Sequence, residues 1–151
     1  MSQSTPITPT SLPCLCAQTR RVDRLLNRIY DDSLRPLGIN TMQKSLLTNI
    51  ARTPGGADSA ELSERLAMDR STLTRNLSTL EDAGLVAVIP DARDRRRRVV
   101  TLTDSGRDTL AASEPLWQDA QRRIVEAIGF ERAEALTTLL ASVEQIAREL
   151  D

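Results

Sequence analysis

From Asp69 to Leu102 the chain passes from helical to strand periodicity, and its two strand-like runs enclose a concentrated positive tip. Leu73, Leu77 and Leu80 fall at i, i+4 and i+7, one apolar stripe of a helix predicted over Asp69 to Ala83. The opposite stripe, Ser71, Thr74, Arg75 and Ser78, is polar and carries a single charge. Asp69 is suited to cap this helix and Gly84 to end it. Val86-Ala87-Val88-Ile89 follows, then Pro90-Asp91, and after the tip comes Val99-Val100-Thr101-Leu102. β-Branched residues fit a pleated surface, so the two runs are predicted to pair as a hairpin. Its tip carries five guanidiniums, Arg93, Arg95, Arg96, Arg97 and Arg98.

Helix, strand, basic tip and strand, in that order, make a winged helix-turn-helix. In that motif one helix enters the DNA major groove and the hairpin reaches the neighbouring backbone or minor groove. A Ser/Thr/Arg face alone describes any solvated helix. Five like charges at one tip are harder to explain that way, because they repel one another unless a polyanion lies alongside. The expected DNA contacts are therefore Ser71, Thr74, Arg75 and Ser78 on the helix and the five arginines of the wing.

Composition narrows the alternatives. Net charge is −1, from 20 basic and 21 acidic residues, so the chain has no bulk attraction to nucleic acid. The basic tip then argues for local phosphate contact and against general coating of DNA. Tyr30, Trp117 and Phe130 are the only aromatics, so the core is expected to be Leu, Ile, Val and Ala packed between helices. There is no histidine, no Gly-rich phosphate loop and no acidic cluster with metal spacing, which argues against an enzyme, a cofactor or a bound metal. The beginning of the chain has no basic-then-apolar leader, and no stretch approaches ~18 apolar residues, so a cytoplasmic protein without membrane contact is expected. Cys14 and Cys16 are then expected as reduced thiols, and a bond between them would close a strained ring.

Residues 1–12, rich in Ser, Thr and Pro, are expected to form a disordered tail ahead of one domain, 13–151. A first helix is predicted from Pro13 or Cys14 to Leu34, with Val22, Leu25, Leu26 and Ile29 on one face, ended by Pro36 and Gly38. Thr41 is read as the cap of a second helix carrying Met42, Leu46, Leu47 and Ile50. Asp58 and Glu61 form a capping-box pattern for a third, with Leu62 and Leu66 inward. Thr103 is read as the cap of a long helix that Pro115 would kink and Gly129 would end. A last helix carries Leu136, Leu139, Leu140, Val143, Ile146, Ala147 and Leu150. The terminal helices hold more apolar surface than a small lobe needs. The fold class is therefore mainly α with a small β-hairpin: residues 41–103 a winged helix-turn-helix lobe, 13–36 and 104–151 dimerisation helices.

Several segments together resemble the MarR (multiple-antibiotic-resistance regulator) family of bacterial transcription factors. They are Leu37-Gly38-Ile39-Asn40-Thr41-Met42-Gln43, Leu62-Ser63-Glu64-Arg65-Leu66, Asp69-Arg70-Ser71-Thr72-Leu73-Thr74-Arg75 and Leu80-Glu81-Asp82-Ala83-Gly84-Leu85. Asp91-Ala92-Arg93-Asp94-Arg95-Arg96 and Leu102-Thr103-Asp104-Ser105-Gly106-Arg107 complete the pattern. The resemblance covers about residues 14 to 150. It implies an obligate homodimer with interlocked terminal helices on a pseudo-palindromic double-stranded operator. Most such regulators are repressors, released by a small lipophilic or phenolic effector or by oxidants. By position it implies that Arg70, Ser71, Thr74 and Arg75 face the major groove, matches Arg96 to the wing arginine of the minor groove, and matches Asp94 to the acid that braces it; Thr72 is also expected among the DNA-binding residues.

Two other functions compete with an effector-released repressor. One branch, the organic-hydroperoxide regulators, carries a reactive cysteine near the start of the first helix, held by tyrosines. Cys16 falls at the matching position, Tyr30 matches one tyrosine, and Cys14 is near enough in sequence to act as a resolving thiol. Arg20 and Met42 stand where other tyrosines are expected, which departs from that branch. The other rival is a winged helix used for protein–protein contact, and such modules usually lack a clustered arginine tip.

Overall fold

The computed structural model describes residues 11–150. The expected tail falls outside them except at Ser11 and Leu12. The elements are α1 (Leu15–Leu34), α2 (Thr41–Ala51), α3 (Ser59–Arg65), α4 (Arg70–Asp82), β1 (Val86–Pro90), β2 (Arg98–Leu102), α5 (Asp104–Ile128) and α6 (Phe130–Leu150). A single 3-10 turn, Arg35–Leu37, joins α1 to α2 and ends at Gly38. The fold is mainly α with one antiparallel hairpin, in the register Val86↔Leu102 to Pro90↔Arg98. That is the winged helix-turn-helix expected from the sequence.

The core lies in the lobe formed by α2, α3, α4 and the hairpin. Leu46, Leu47 and Ile50 of α2 meet Leu62, Leu73, Leu77, Leu80, Val86 and Val100, with Leu34 and Ile39 closing one end. The predicted stripe of α4 is thus the buried one. Asp69 caps α4, accepting from the Thr72 amide at 2.8 Å, and Gly84 ends it at φ +70, where a side chain would be strained. Leu66 is half-buried at the end of α3.

Two caps differ from the sequence reading. Asn40, not Thr41, caps α2: its side chain accepts from the Gln43 amide at 2.8 Å, and the Gln43 side-chain oxygen accepts from the Asn40 amide at 2.9 Å. Thr41 is one residue inside, and its amide and hydroxyl both donate to Asp31 of α1. Asp58 does cap α3, through the Ala60 amide at 2.7 Å, but there is no reciprocal box. The carboxylate of Glu61 pairs with Arg65 one turn on, so it does not reach back to the cap.

The motif Leu102-Thr103-Asp104-Ser105-Gly106 is the joint between wing and α5. The Thr103 hydroxyl donates to the Gly84 carbonyl at 2.6 Å and accepts from the Gly106 amide at 3.0 Å. The Thr103 amide donates to the Leu85 carbonyl at 3.1 Å. One threonine thus caps α5 and fastens it to the end of α4. Helix α5 then runs through Pro115 as one element to Gly129.

Helix α1 presents Val22, Leu25 and Ile29 to solvent, and α6 presents Leu136, Leu139, Leu140, Val143 and Ile146. No helix among the described residues is long and apolar enough to cross a membrane.

Candidate nucleic-acid interface

The helix-turn-helix is fixed at its turn by Ser63, whose hydroxyl donates to the Met68 carbonyl while its own carbonyl accepts from the Met68 amide at 2.9 Å. Ala67 sits between them at φ +46, the one non-glycine residue with positive φ among those described. This turn sets the outward roll of α4. Arg70, Ser71, Thr74, Arg75, Ser78 and Thr79 share one open depression on its solvent face. Thr79 was not anticipated, although it lies four residues beyond Arg75 and eight beyond Ser71. Thr72, expected on this face, is half-buried.

The hydroxyls divide by task. Ser71 and Thr72 donate to the Asp69 carboxylate at 2.6 and 2.7 Å, and with the Thr72 amide they hold that carboxyl well below the usual carboxylate range. Thr72 therefore belongs to the cap. Thr74 donates to the Arg70 carbonyl and Thr79 to the Arg75 carbonyl, which leaves their oxygens outward as acceptors. Arg70 and Arg75 have no carboxylate partner among the described residues.

The wing separates its arginines in the same way. Asp94 accepts from the Arg96 amide at 3.0 Å, and its carbonyl accepts from the Arg97 amide at 2.9 Å. It braces the turn backbone and makes no ion pair with the Arg96 guanidinium. Arg93, Arg95 and Arg96 are exposed and unpaired among the described residues. Arg98 lies in β2 and reaches the Val88 carbonyl at 3.5 Å. Arg97 pairs with Asp58 at 2.5 Å. This pairing depresses the Asp58 carboxyl and raises the Arg97 guanidinium. Two of the five wing arginines are thus engaged within the protein.

Cys14 and Cys16 are free and exposed at the start of α1. Tyr30 lies fourteen residues further along the same helix, roughly 21 Å at 1.5 Å per residue. Within one chain it cannot hold the Cys16 thiol. Its hydroxyl donates to Gln121 of α5, and its ring stacks on Trp117 with centroids 6.3 Å apart. Burial raises the Tyr30 hydroxyl above its ordinary range. Among the described residues no group of His, Cys, Asp or Glu could hold a metal ion.

Residues 37–97 match the model of the MarR family. The chain is 34% identical to the M. tuberculosis transcriptional regulator MosR, whose structure in complex with DNA matches 90% of this chain and 99% of that one at a TM-score of 0.75. This chain belongs to the MarR family. A mutant MarR from E. coli complexed with operator DNA is 28% identical, matching 85% of this chain and 92% of that one at a TM-score of 0.76. The transcriptional repressor CouR, bound to a 23-mer DNA duplex, is 25% identical over 93% of this chain and 99% of that one, at a TM-score of 0.79. The residues 37–97 shared with MarR regulators hold α2, the helix-turn-helix and the wing tip. All the unpaired arginines described above fall inside that span.

Proposed function

We propose that this MarR-family protein is a homodimeric, sequence-specific DNA-binding transcriptional regulator. The observation that carries this reading is the placement on one lobe of five guanidiniums that are unpaired among the described residues, Arg70 and Arg75 on α4 and Arg93, Arg95 and Arg96 on the wing. Arg70 and Arg75 flank hydroxyls on a helix shaped for the major groove, where arginine makes bidentate bonds to guanine. The wing supplies phosphate or minor-groove contacts beside it. Residues 41–103 act as the DNA-binding lobe, while α1, α5 and α6 act as the dimerisation unit.

Two-fold pairing of α1 and α6 sets two recognition helices on one pseudo-palindromic operator, with half-sites a turn or a small multiple apart. Regulation is by binding and not by catalysis, in the cytoplasm. The sense is repression, ended by a small lipophilic or phenolic effector. Support for the effector comes from the seam between α1, α2 and α5, where Tyr30 and Trp117 stack beside the ammonium of Lys44. Tyr30 is committed to Gln121 and Trp117 and does not hold the Cys16 thiol, which weighs against the oxidant-sensing alternative, and the three wing-tip arginines unpaired among the described residues favour DNA over a protein partner.

The test is selection of duplexes from a random-sequence pool by the purified protein. A pseudo-palindromic consensus bound by a dimer is the expected outcome. Enrichment of no consensus, or equal affinity for selected and scrambled duplexes, overturns the reading.

A further inference from the structure

Arg97 stands in the middle of the arginine run, and its side chain turns back toward the protein. It crosses to Asp58, thirty-nine residues earlier, at 2.5 Å. Asp58 is also the N-cap of α3, so one carboxylate holds the first helix of the helix-turn-helix at one oxygen and the wing at the other. The backbone of Arg97 is equally committed. Its amide donates to the Asp94 carbonyl and its carbonyl accepts from the Asp91 amide, both at 2.9 Å, so both arms of the wing loop meet at this residue.

Next to the ion pair, the chain before α3 is stitched to the base of the wing. Ala57 and Val100 exchange two backbone bonds of 2.8 and 2.9 Å, an isolated bridge beside the hairpin. Gly56, at φ +106, lets the strands approach: a Cβ there would lie 2.6 Å from a methyl of Val99. The bridge fixes the root of the wing but acts at Val100, three residues from Arg97. A two-stranded ribbon is free to twist and bend beyond its last fixed pair. The ion pair is the contact that reaches further out, to the start of the tip.

We propose that Asp58 and Arg97 form a strut that sets the angle between the wing and the helix-turn-helix, making Arg97 a positioning residue and not one of the DNA-contacting arginines. The angle matters because Arg93, Arg95 and Arg96 must meet one stretch of backbone while Arg70 and Arg75 meet the adjacent groove. Ser63 and Ala67 fix the roll of α4, and the strut fixes the wing against the other end of the same two-helix unit. Specificity depends on both being held in register, because a loosely hinged wing can reach phosphates on any sequence.

The DNA part of this inference rests on the regulator reading, whereas the strut itself can be read without DNA. The variants are Asp58→Asn, Arg97→Gln and the two together. Asparagine caps a helix as well as aspartate, so α3 keeps its cap while the charge is removed. In the free protein, hydrogen exchange at the Asp91 and Arg97 amides is expected to accelerate roughly two- to five-fold in each variant, the range for a partly exposed ion pair. The Ala57 and Val100 amides, each bonded to the other's carbonyl, should be unaffected, and the double variant should go no further than either single one. Unchanged exchange at Asp91 and Arg97 overturns the strut whatever the protein binds.

With duplexes selected by the wild type, the ratio of affinity for selected over scrambled sequence is expected to fall about two- to five-fold in each variant, again without addition in the double. The slope of log affinity against log salt should stay at its wild-type value for Arg97→Gln. If Arg97 grips a phosphate instead, that slope falls by ~0.9. Affinity for both duplexes then drops together, the ratio stands, and Asp58→Asn tightens binding by freeing the guanidinium.

Discussion

The ammonium of Lys44 lies 4.9 Å from the centroid of the Trp117 ring. Lys44 belongs to α2, inside the winged-helix lobe, and Trp117 to α5, so this contact spans the seam between the lobe and the long helices. Lys44 is 8% exposed and donates to Glu114 at 3.2 Å, which depresses the Glu114 carboxyl. Its charge is thus satisfied by one carboxylate and one aromatic face, while its stem packs where a lysine rarely does.

Lys44→Met keeps most of the stem and removes the charge. A cation–π contact with little water is worth about 1–2 kcal/mol, and the largely exposed Glu114 adds little. A loss of about 1–2 kcal/mol in urea unfolding is therefore expected, with altered Trp117 emission in the folded state. Because Trp117 is the only tryptophan, the emission reports this seam alone. Unchanged emission together with unchanged stability would show that the lysine contributes nothing there.

The two sets of unpaired arginines predict separable defects. Arg75→Ala should relax sequence preference, at about 1–3 kcal/mol if the residue grips a guanine. Arg96→Ala should weaken binding to every duplex and lower the salt slope by ~0.9. Measuring both variants on selected and scrambled duplexes over a range of salt decides between these roles. Equal losses for Arg75→Ala on both duplexes remove it from base reading.

What the sequence shows about this fold follows the range of the interactions. Local signals hold: the leucine stripe of α4, its Asp69 cap, the Gly84 stop and the β-branched arms of the wing all concern residues within a turn or a hairpin of one another. The errors come where two local solutions compete. Asn40 and Thr41 are both good caps, and Asp31 of α1 claims the threonine. Glu61 has both Arg65 and the cap within reach, and it takes the arginine. The arginine run shows the same limit at the site. Composition points to a basic tip, but only folding brings Asp58 beside Arg97, and no spacing rule links residues so far apart. Tyr30 likewise turns to Gln121 and Trp117, partners some ninety residues away.

Acid should weaken the lobe through carboxylates held in the charged form. Asp58, Asp69 and Glu114 all have folded pKa values below their ordinary ones. Such groups add stability that is complete above the unfolded value, near pH 4, and that fades as pH falls through the folded value. Asp69→Asn keeps a capping side chain without a titrating charge. The stability gap between wild type and this variant should be widest at neutral pH and should narrow steadily below pH ~4. Urea melts at pH 7, 4 and 3 measure it, and a gap that grows toward acid contradicts the cap chemistry.

Gly106 tests the joint between wing and long helix. An added Cβ would lie 1.9 Å from the Leu85 carbonyl oxygen, backbone against backbone, so the first turn of α5 would have to move off the end of α4. Overpacking of this kind costs about 1–3 kcal/mol. Gly106→Ala should show that loss in thermal or urea unfolding, and wild-type stability would mean that the joint is slack.

The exposed leucines of α6 yield the last prediction. Leu140 and Val143 are about half exposed in the single chain, at 48% and 52%, and they lie three residues apart, on the same helical face. Val22, Leu25 and Ile29 of α1 form a second exposed apolar row. About half exposed, each of these side chains forgoes roughly half of the ~1.5–3 kcal/mol that full burial of a Val, Leu or Ile is worth. In a two-fold dimer each copy's rows are covered by its partner, so the same contact forms twice. Val143→Glu would place a carboxylate in the middle of that apolar contact, a penalty of ~2–4 kcal/mol at a buried hot spot. Light scattering and sedimentation over a concentration series should show a dimer for wild type and dissociation for the variant. Because two linked half-sites bind far more tightly than one, the variant should also lose most of its affinity for a palindromic duplex while still binding an isolated half-site. A wild-type protein that stays monomeric, or a Val143→Glu variant that stays dimeric, would mean that this face is not the dimer contact.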